Sequence, residues 1–519
     1  MRRRPRLQTA ANVLLLSVLL LFAWFHTRAR FLAPITFDEE FAVWGGWLMT
    51  QGGVPYRDFF EPKPPVIFFA NYLGLVLFGF TDSLFRIVPT VLALTSIVLF
   101  YLALLKRQVV TWLAALLTAQ VALWLLGPQF HHLGLNDAES YGFAFTLLGF
   151  SLGSLSSSLK GRSRTIALQL LSGACFSMAI FSKELFLFSV IPAWLFAARR
   201  RQNSSWDLRQ LVFSALGALV VVGALLIYLF ACSALGPYLD LLGFYRTFAA
   251  NYCIDIGQFP RVSGVSALLT SWTFLHGTLY NFRHLAFVLA LWISLLFLIR
   301  GGRARTIDLA IASLAVVLGI VAVSVGHCFW VHYFLMGTTG LVLLSLLGAE
   351  AWSRFLSERS ALASVISFAV LSALLFFAGY VPTKDVLKKK TVFQHVPWDP
   401  ILHETIEQHS RPGDYILTTE GPLLYVVTNR KNPLPLNFFV DEILPYVTSE
   451  NRHLQMDLLR ATLEKHLPKV CYFAPWLRSR QDKYHELLFD PLLRKYNYTK
   501  VNDSIWRLPN AAANDPVSP

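Results

Sequence analysis

Apolar runs follow one another along most of this chain, at roughly 11–26, 66–80, 84–105, 109–127, 139–157, 166–181, 184–198, 211–231, 284–299, 307–325, 331–349 and 361–381. A helix needs about 20 such residues to cross the hydrocarbon core of a bilayer. Inside lipid every backbone polar group must be satisfied within its own element, so repeated apolar runs of this length restrict the chain to a polytopic bundle of α-helices. Composition agrees. Of 519 residues, 55% are hydrophobic and only 15% charged, and the mean hydropathy is +0.51, too apolar for a soluble chain of that length. The formal charge of +14 does not mark a nucleic-acid partner, because the basic residues sit in short clusters between apolar runs, where they set membrane topology. The cysteines Cys175, Cys232, Cys253, Cys328 and Cys471 have no metal-ligand spacing. Cys232 and Cys253 could pair in one outer loop, but free thiols are the simpler reading.

The basic clusters select among topologies. The N-terminal "MRRRPRLQTAANVLLLSVLLLFAWF" has no small-x-small cleavage site and is expected to remain as a spanning anchor. If it runs from inside to outside, counting 66–80 as a span puts "KR" at 106, "KGRSR" at 160, "RRR" at 199 and "RGGRAR" at 300 outside, whereas omitting it puts all four inside. The 66–80 run is short and opens on Pro64 and Pro65, which suit a helix start. The reading is therefore of about 11 to 13 spans, with two interfacial helices, "FDEEFAVWGGWLMT" and "PPVIFFANYLGLVLFGF", in a first outer loop from about 27 to 83. A second outer loop runs from about 232 to 283. Residues 1–381 form the membrane domain and 382–519 a small soluble α/β domain, with short strand patterns in "RPGDYILTTEGPLLYVVTNRKN", "PKVCYFAPW" and "KYNYTKVNDSIWRLP". Parity places this domain outside, although "KDVLKKK" argues the other way.

Charged groups at the membrane surface or within it are costly and need a reason. In "ITFDEEFAVWGGWL", Thr36 and Glu39 fit a capping box, Glu40 reads as a solvated neighbour, and Asp38 shares a helical line with Ala42, Gly45 and Met49, where small residues leave room for a ligand. The segment "PYRDFFEPKPPV" brings Arg57, Asp58, Glu61 and Lys63 into a turn-rich link close enough to fold back on Asp38. Loop salt bridging is the plainer reading, but Lys63 between two prolines has few backbone conformations, which suits a fixed phosphate contact. In "FHHLGLNDAESYGFAF", His131 and His132 are loop histidines rather than a metal site. Asp137 can cap the next span, while Glu139 points into the bundle. Lys183 and Glu184 in "AIFSKELFLF", and His327, His332 and Tyr333 in "GHCFWVHYFLMG", fall at outer ends of spans, where Trp330 and Tyr333 can also serve as interfacial anchors. By this topology all these groups converge on one face of the membrane.

Several of these stretches, taken in order, resemble the GT-C superfamily of membrane glycosyltransferases, in the branch of the protein mannosyltransferases and lipid A aminoarabinose transferases. The acidic pair Asp38 and Glu39 opens an interfacial helix, and "GGVPYRDFFEPKPPV" resembles the family's G-x-P-Y-x-D…K-P-P run. Then come "FRIVP" with Arg86, the acid before "FAFTLLG", "LSGACFSMAIFSKELFLF" and "HYFLMGTTGLVLL". The resemblance covers roughly residues 5–440. It implies a GT-C fold, a polyprenyl-phosphate sugar donor, and a lipid, glycan or protein acceptor delivered at the outer, periplasmic face of an inner membrane. By that likeness Asp38 is the general base, with Glu39 beside it, and Lys63 holds the donor phosphate together with Arg57. Asp137 or Glu139 is the second acid, and Arg86, Lys183, His332 and Tyr333 line the donor cavity. Single displacement at the anomeric carbon is inverting. A lipid monophosphate donor requires no cofactor, and because only Glu61 matches the metal ligands of the aminoarabinose branch, no metal is assigned. The sequence departs from the family in "MGTTG" after "HYFL", where a proline is expected, and in Glu184 after Lys183. The competing readings are a transporter or flippase, and a polymerase or ligase of polyprenyl-linked saccharides. A transporter predicts charge near the bilayer midplane, where these runs are almost bare; a ligase predicts a large outer loop rich in arginine and histidine.

Overall fold

The computed structural model describes residues 5–31, 35, 37–80, 84–126, 136–157, 161–199, 205–241, 243, 306–325, 333–357, 400–419, 421–437, 439, 444, 447, 455–475 and 481–509. The apolar runs at 284–299 and 361–381 lie outside these residues, as do Thr36, His131, His132, Cys253, His327, His332 and "KDVLKKK". The chain divides into two compact units, the first made of residues 1–33, 86–225 and 261–392, the second of 34–85, 226–260 and 393–519.

The first unit is a helical bundle. Its described helices are α1 (Pro5–Phe31), α4 (Ile87–Lys106), α5 (Thr111–Leu126), α6 (Ala138–Ser156), α7 (Arg162–Ile180), α8 (Leu187–Ala197), the first part of α9 (Leu208–Ala231), α10 (Thr306–Val325) and α11 (Phe334–Ser357). Three described stretches, Ile87–Lys106, Leu208–Ala231 and Leu335–Arg354, are long and apolar enough to cross a membrane; Asn12–Arg28, Thr111–Leu126, Glu184–Ala197 and Thr306–Ala322 are apolar but shorter. Helix α6 is central and packs on α4, α7 and α8. Around it Ile97, Phe100, Trp124, Phe143, Phe150 and Phe196 are buried, and between helices in lipid such side chains act by close packing rather than by withdrawal from water. Helices α7 and α9 touch backbone to backbone, since a methyl group on Gly173 would overlap the Ser214 carbonyl. Buried charge at the helix ends is paired: Arg107 donates to Glu350 at 2.8 Å and Arg199 to Asp308 at 2.8 Å, as charges withdrawn from water must be.

The second unit combines α2 (Phe37–Thr50), α3 (Pro65–Phe78) and the α/β segment from 400 onward. Helix α3 has 14 residues, a rise of about 21 Å, too short to cross about 30 Å of hydrocarbon as a straight helix. Its first residue is Pro65, after Pro64 in an extended conformation, the arrangement a proline pair favours at a helix start. Beyond it come α12 (Pro400–His409), β1 (Ile416–Thr418), α13 (Leu423–Thr428), α14 (Met456–Lys465), β2 (Val470–Tyr472), a helical stretch from Asp482 to Lys495, β3 (Thr499–Lys500) and β4 (Ile505–Arg507). The four strands form one sheet in the order β1-β2-β4-β3. β1 and β2 are parallel, with Ile416 opposite Val470, and the remaining pairs are antiparallel.

Candidate active site

Among the described residues, each unit holds a largely covered lysine paired with a buried glutamate. In the second unit, α2 begins with Asp38, Glu39 and Glu40 in its first turn, where the unpaired N–H groups favour negative charge. Glu39 is fully buried. Asp38 stays 38% exposed and lies 3.3 Å from the Lys63 ammonium, whose other carboxylate partner, Glu61, is 5% exposed at 2.8 Å. The chain between Glu61 and Lys63 bends at Pro62, with the Lys63 N–H donating to the Glu61 carbonyl at 2.7 Å. Tyr56 completes the hold. Its hydroxyl donates to the Lys63 carbonyl at 2.8 Å, its backbone is in the left-handed region at φ 70°, and its ring packs on Tyr238 and Phe68.

Burial by itself would lower the Lys63 pKa, but the charges of Glu61 and then Asp38 outweigh it and raise the ammonium above its ordinary 10.5. Burial pushes the Glu61 carboxyl up, and Lys63 pulls part of that back. The group thus sets one ammonium between a buried carboxyl, Glu61, and a half-exposed one, Asp38.

Arg57 is engaged elsewhere. It makes a two-point pair with Asp58, at 2.8 and 2.7 Å, and donates to the Cys232 carbonyl at 3.1 Å. That carbonyl lies one residue past the end of α9, where a cation is favoured by the helix dipole. Glu40 corrects the expectation of a solvated side chain: it is 6% exposed, because α2 turns this face toward the α/β segment and away from water. Cys232 carries no disulfide.

In the first unit, Lys183 follows α7 and pairs with Glu139 of α6, a side chain only 5% exposed. The ammonium also lies 3.4 Å from the centre of the Tyr333 ring, a cation–π contact strengthened by exclusion of water. Burial alone would lower the Lys183 pKa; Glu139 and Tyr333 reverse that and raise it. Asp137 is the N-cap of α6, accepting from the Ser140 N–H at 2.6 Å, so the two acids divide as cap and inward carboxylate. Arg86 is completely buried just ahead of α4. His332 lies outside the described residues.

Reading the sequence singled out both lysines and their partners Asp38, Glu61, Glu139 and Tyr333, and missed Tyr56. Glu61 was visible two residues from Lys63, but the bend at Pro62 that turns the pair together is a matter of geometry. A left-handed Tyr56 has no sequence signal, since glycine or asparagine is the usual occupant of that region. Among the described residues no group of three or more histidine, cysteine, aspartate or glutamate side chains could hold a metal ion.

No protein-family profile and no curated protein matches the sequence. Solved structures do. ArnT from Cupriavidus metallidurans bound to undecaprenyl phosphate is 14% identical and superposes with a TM-score of 0.59 over 97% of this chain and 99% of that one. The same protein in the apo state gives 14% identity and a TM-score of 0.56 over 96% and 98%. Identity this low speaks for the fold alone: residues of this chain adopt the fold seen in ArnT.

Proposed function

We propose that the chain is an inverting glycosyltransferase that moves a sugar from a polyprenyl-phosphate donor to the hydroxyl of a lipid, glycan or protein of the cell envelope. The observation that carries this reading is the Asp38–Lys63–Glu61 group: a half-open carboxylate 3.3 Å from a cation that a second, buried carboxylate holds at 2.8 Å. The reaction needs both functions. The acceptor oxygen attacks the anomeric carbon and loses its proton to Asp38. The bond from that carbon to the phosphate oxygen breaks through an oxocarbenium-like state, and the polyprenyl phosphate departs with its new charge against Lys63. Lys63 suits that task because it stays protonated at neutral pH, and Glu61 keeps it in place when the phosphate draws it from Asp38.

Within the first unit, Glu139, already paired with Lys183, is assigned as the second acid, and Arg86 and Tyr333 are assigned to donor binding. Asp137 is spent on the α6 cap and Arg57 on Asp58 and the end of α9, so their part in donor binding is indirect. That a protein of the same fold is seen with undecaprenyl phosphate supports the donor class. The chemistry takes place at the outer face of the inner membrane, with residues 382–519 as a periplasmic domain. The test incubates purified protein with a panel of radiolabelled undecaprenyl-phosphate sugars and cell-envelope acceptors. Label should move from one donor with inversion at the anomeric carbon; failure with every donor, or retention of configuration, overturns the reading.

A further inference from the structure

In an open α/β sheet the crevice beyond the carboxyl ends of parallel strands is where ligands commonly bind. In this protein that position after β1 is occupied by the chain's own helix α2. The turn leaving β1 passes through Gly421 and Pro422 into α13, and the carboxylate of Glu40 lies directly over Gly421, where an added methyl group would overlap it. One helical turn along, Trp44 is fully buried, its ring centre 6.3 Å from that of Tyr425 on α13 and 5.6 Å from Phe59. Tyr425 is itself fixed, its hydroxyl accepting from the Thr418 N–H at 3.0 Å.

A second seam joins the same segment to the loop that carries Lys63. The Phe60 N–H donates to the Pro435 carbonyl at 2.5 Å, and Phe60 pairs with Leu436 as an isolated bridge. The helix that presents Asp38 and the loop that presents Lys63 are therefore both seated on Gly421–Leu436. Asp38 precedes Glu40 by two residues and Lys63 follows Phe60 by three, so neither can shift far while these contacts hold.

We propose that Gly421–Leu436 is the template that sets the Asp38–Lys63 spacing, with Glu40, Trp44 and Phe60 as positioning residues. The α/β segment acts on its own chain and takes no separate ligand at the end of β1. The inference rests on the transferase reading for its consequence, because what is positioned is the base and the phosphate cation.

The test uses the full-length chain and separates placement from mere integrity by suppression. Gly421→Ala pushes the Glu40 carboxylate off its seat and lowers kcat about ten- to a hundred-fold, the scale of a misplacement near 1 Å. In the double variant Glu40→Ala with Gly421→Ala the methyl group occupies the space the carboxylate left, and most of that loss returns. Trp44→Ala lowers kcat similarly, while Trp44→Phe, which keeps a ring against Tyr425, retains most of it. Donor KM changes less than kcat throughout. An active wild type with Gly421→Ala at full rate, or a double variant as slow as the single one, overturns the inference. Should Gly421→Ala not fold, the Trp44 pair decides: equal rates for Trp44→Ala and Trp44→Phe overturn it. A wild type that transfers from no donor refutes the transferase reading instead. The docking is then read by protease protection of residues 400–509, which Gly421→Ala reduces and the double variant restores; unchanged protection overturns the docking too.

Discussion

Replacing Lys63 by methionine leaves the Glu61 carboxylate, 5% exposed, without its cation at 2.8 Å. Breaking a buried ion pair by removing one partner costs about 3–5 kcal/mol, most of it the penalty of an uncompensated charge. Asp38 adds little, since at 38% exposure and 3.3 Å water replaces the ammonium and a half-open pair is worth about 1 kcal/mol at most. Changing Glu61 to glutamine as well removes the stranded charge. The double variant should then lie within about 1–2 kcal/mol of wild type, recovering about 2–3 kcal/mol of what the single variant loses. Unfolding in mixed detergent micelles at pH 7 measures all four stabilities. Transfer should vanish in Lys63→Met and stay absent in the double variant, although its stability has returned. A Lys63→Met protein as stable as wild type, or a double variant no more stable than the single one, would refute the assignment of Glu61 as the counter-ion that seats Lys63.

Other outcomes follow from the same geometry. Because Lys63 has a pKa above 10.5 in the folded chain, the sign of linkage makes its contribution to stability complete below that value and lost only as pH rises through the folded pKa. Stability should therefore show no Lys63-dependent fall from about pH 7 to 9, which a comparison of wild type with the double variant across that range checks. Lys183→Met should abolish transfer, and Tyr333→Phe should keep more activity than Tyr333→Ala, because the ring over which Lys183 sits at 3.4 Å is preserved; steady-state rates decide. Gly173→Ala places a methyl group against the Ser214 carbonyl and should destabilise the α7–α9 packing by about 1–3 kcal/mol, seen in the same micelle unfolding without a change in donor preference.

Much of the scaffold was legible because membrane helices write themselves as apolar runs. The run at 66–80, with its proline pair at the start, folds as the 14-residue helix α3. The division of Asp137 and Glu139 also followed from the sequence as one of two readings, since a residue just before a helix can satisfy N–H groups that one inside it cannot. What could not be read is what depends on contacts distant in the chain. Glu40 looks like a solvated residue in the first turn of an acidic helix; its burial depends on Gly421, which no local pattern connects to it. Tyr56 and Glu61 are ordinary loop residues by composition, and their hold on Lys63 depends on a left-handed backbone and a bend at Pro62. Lys183 and Tyr333 lie at the ends of different helices, and only the packing of the bundle brings the ring under the ammonium.

If Asp38 takes the acceptor's proton, single-turnover transfer from a radiolabelled undecaprenyl-phosphate sugar must separate wild type from Asp38→Asn. Asparagine keeps the size and can still accept a hydrogen bond from Lys63, but it cannot act as the base. The Asp38→Asn rate should be lower by about 10²–10⁴-fold, with donor binding and unfolding in micelles close to wild type. Transfer by Asp38→Asn at the wild-type rate would contradict the role of Asp38 as the base.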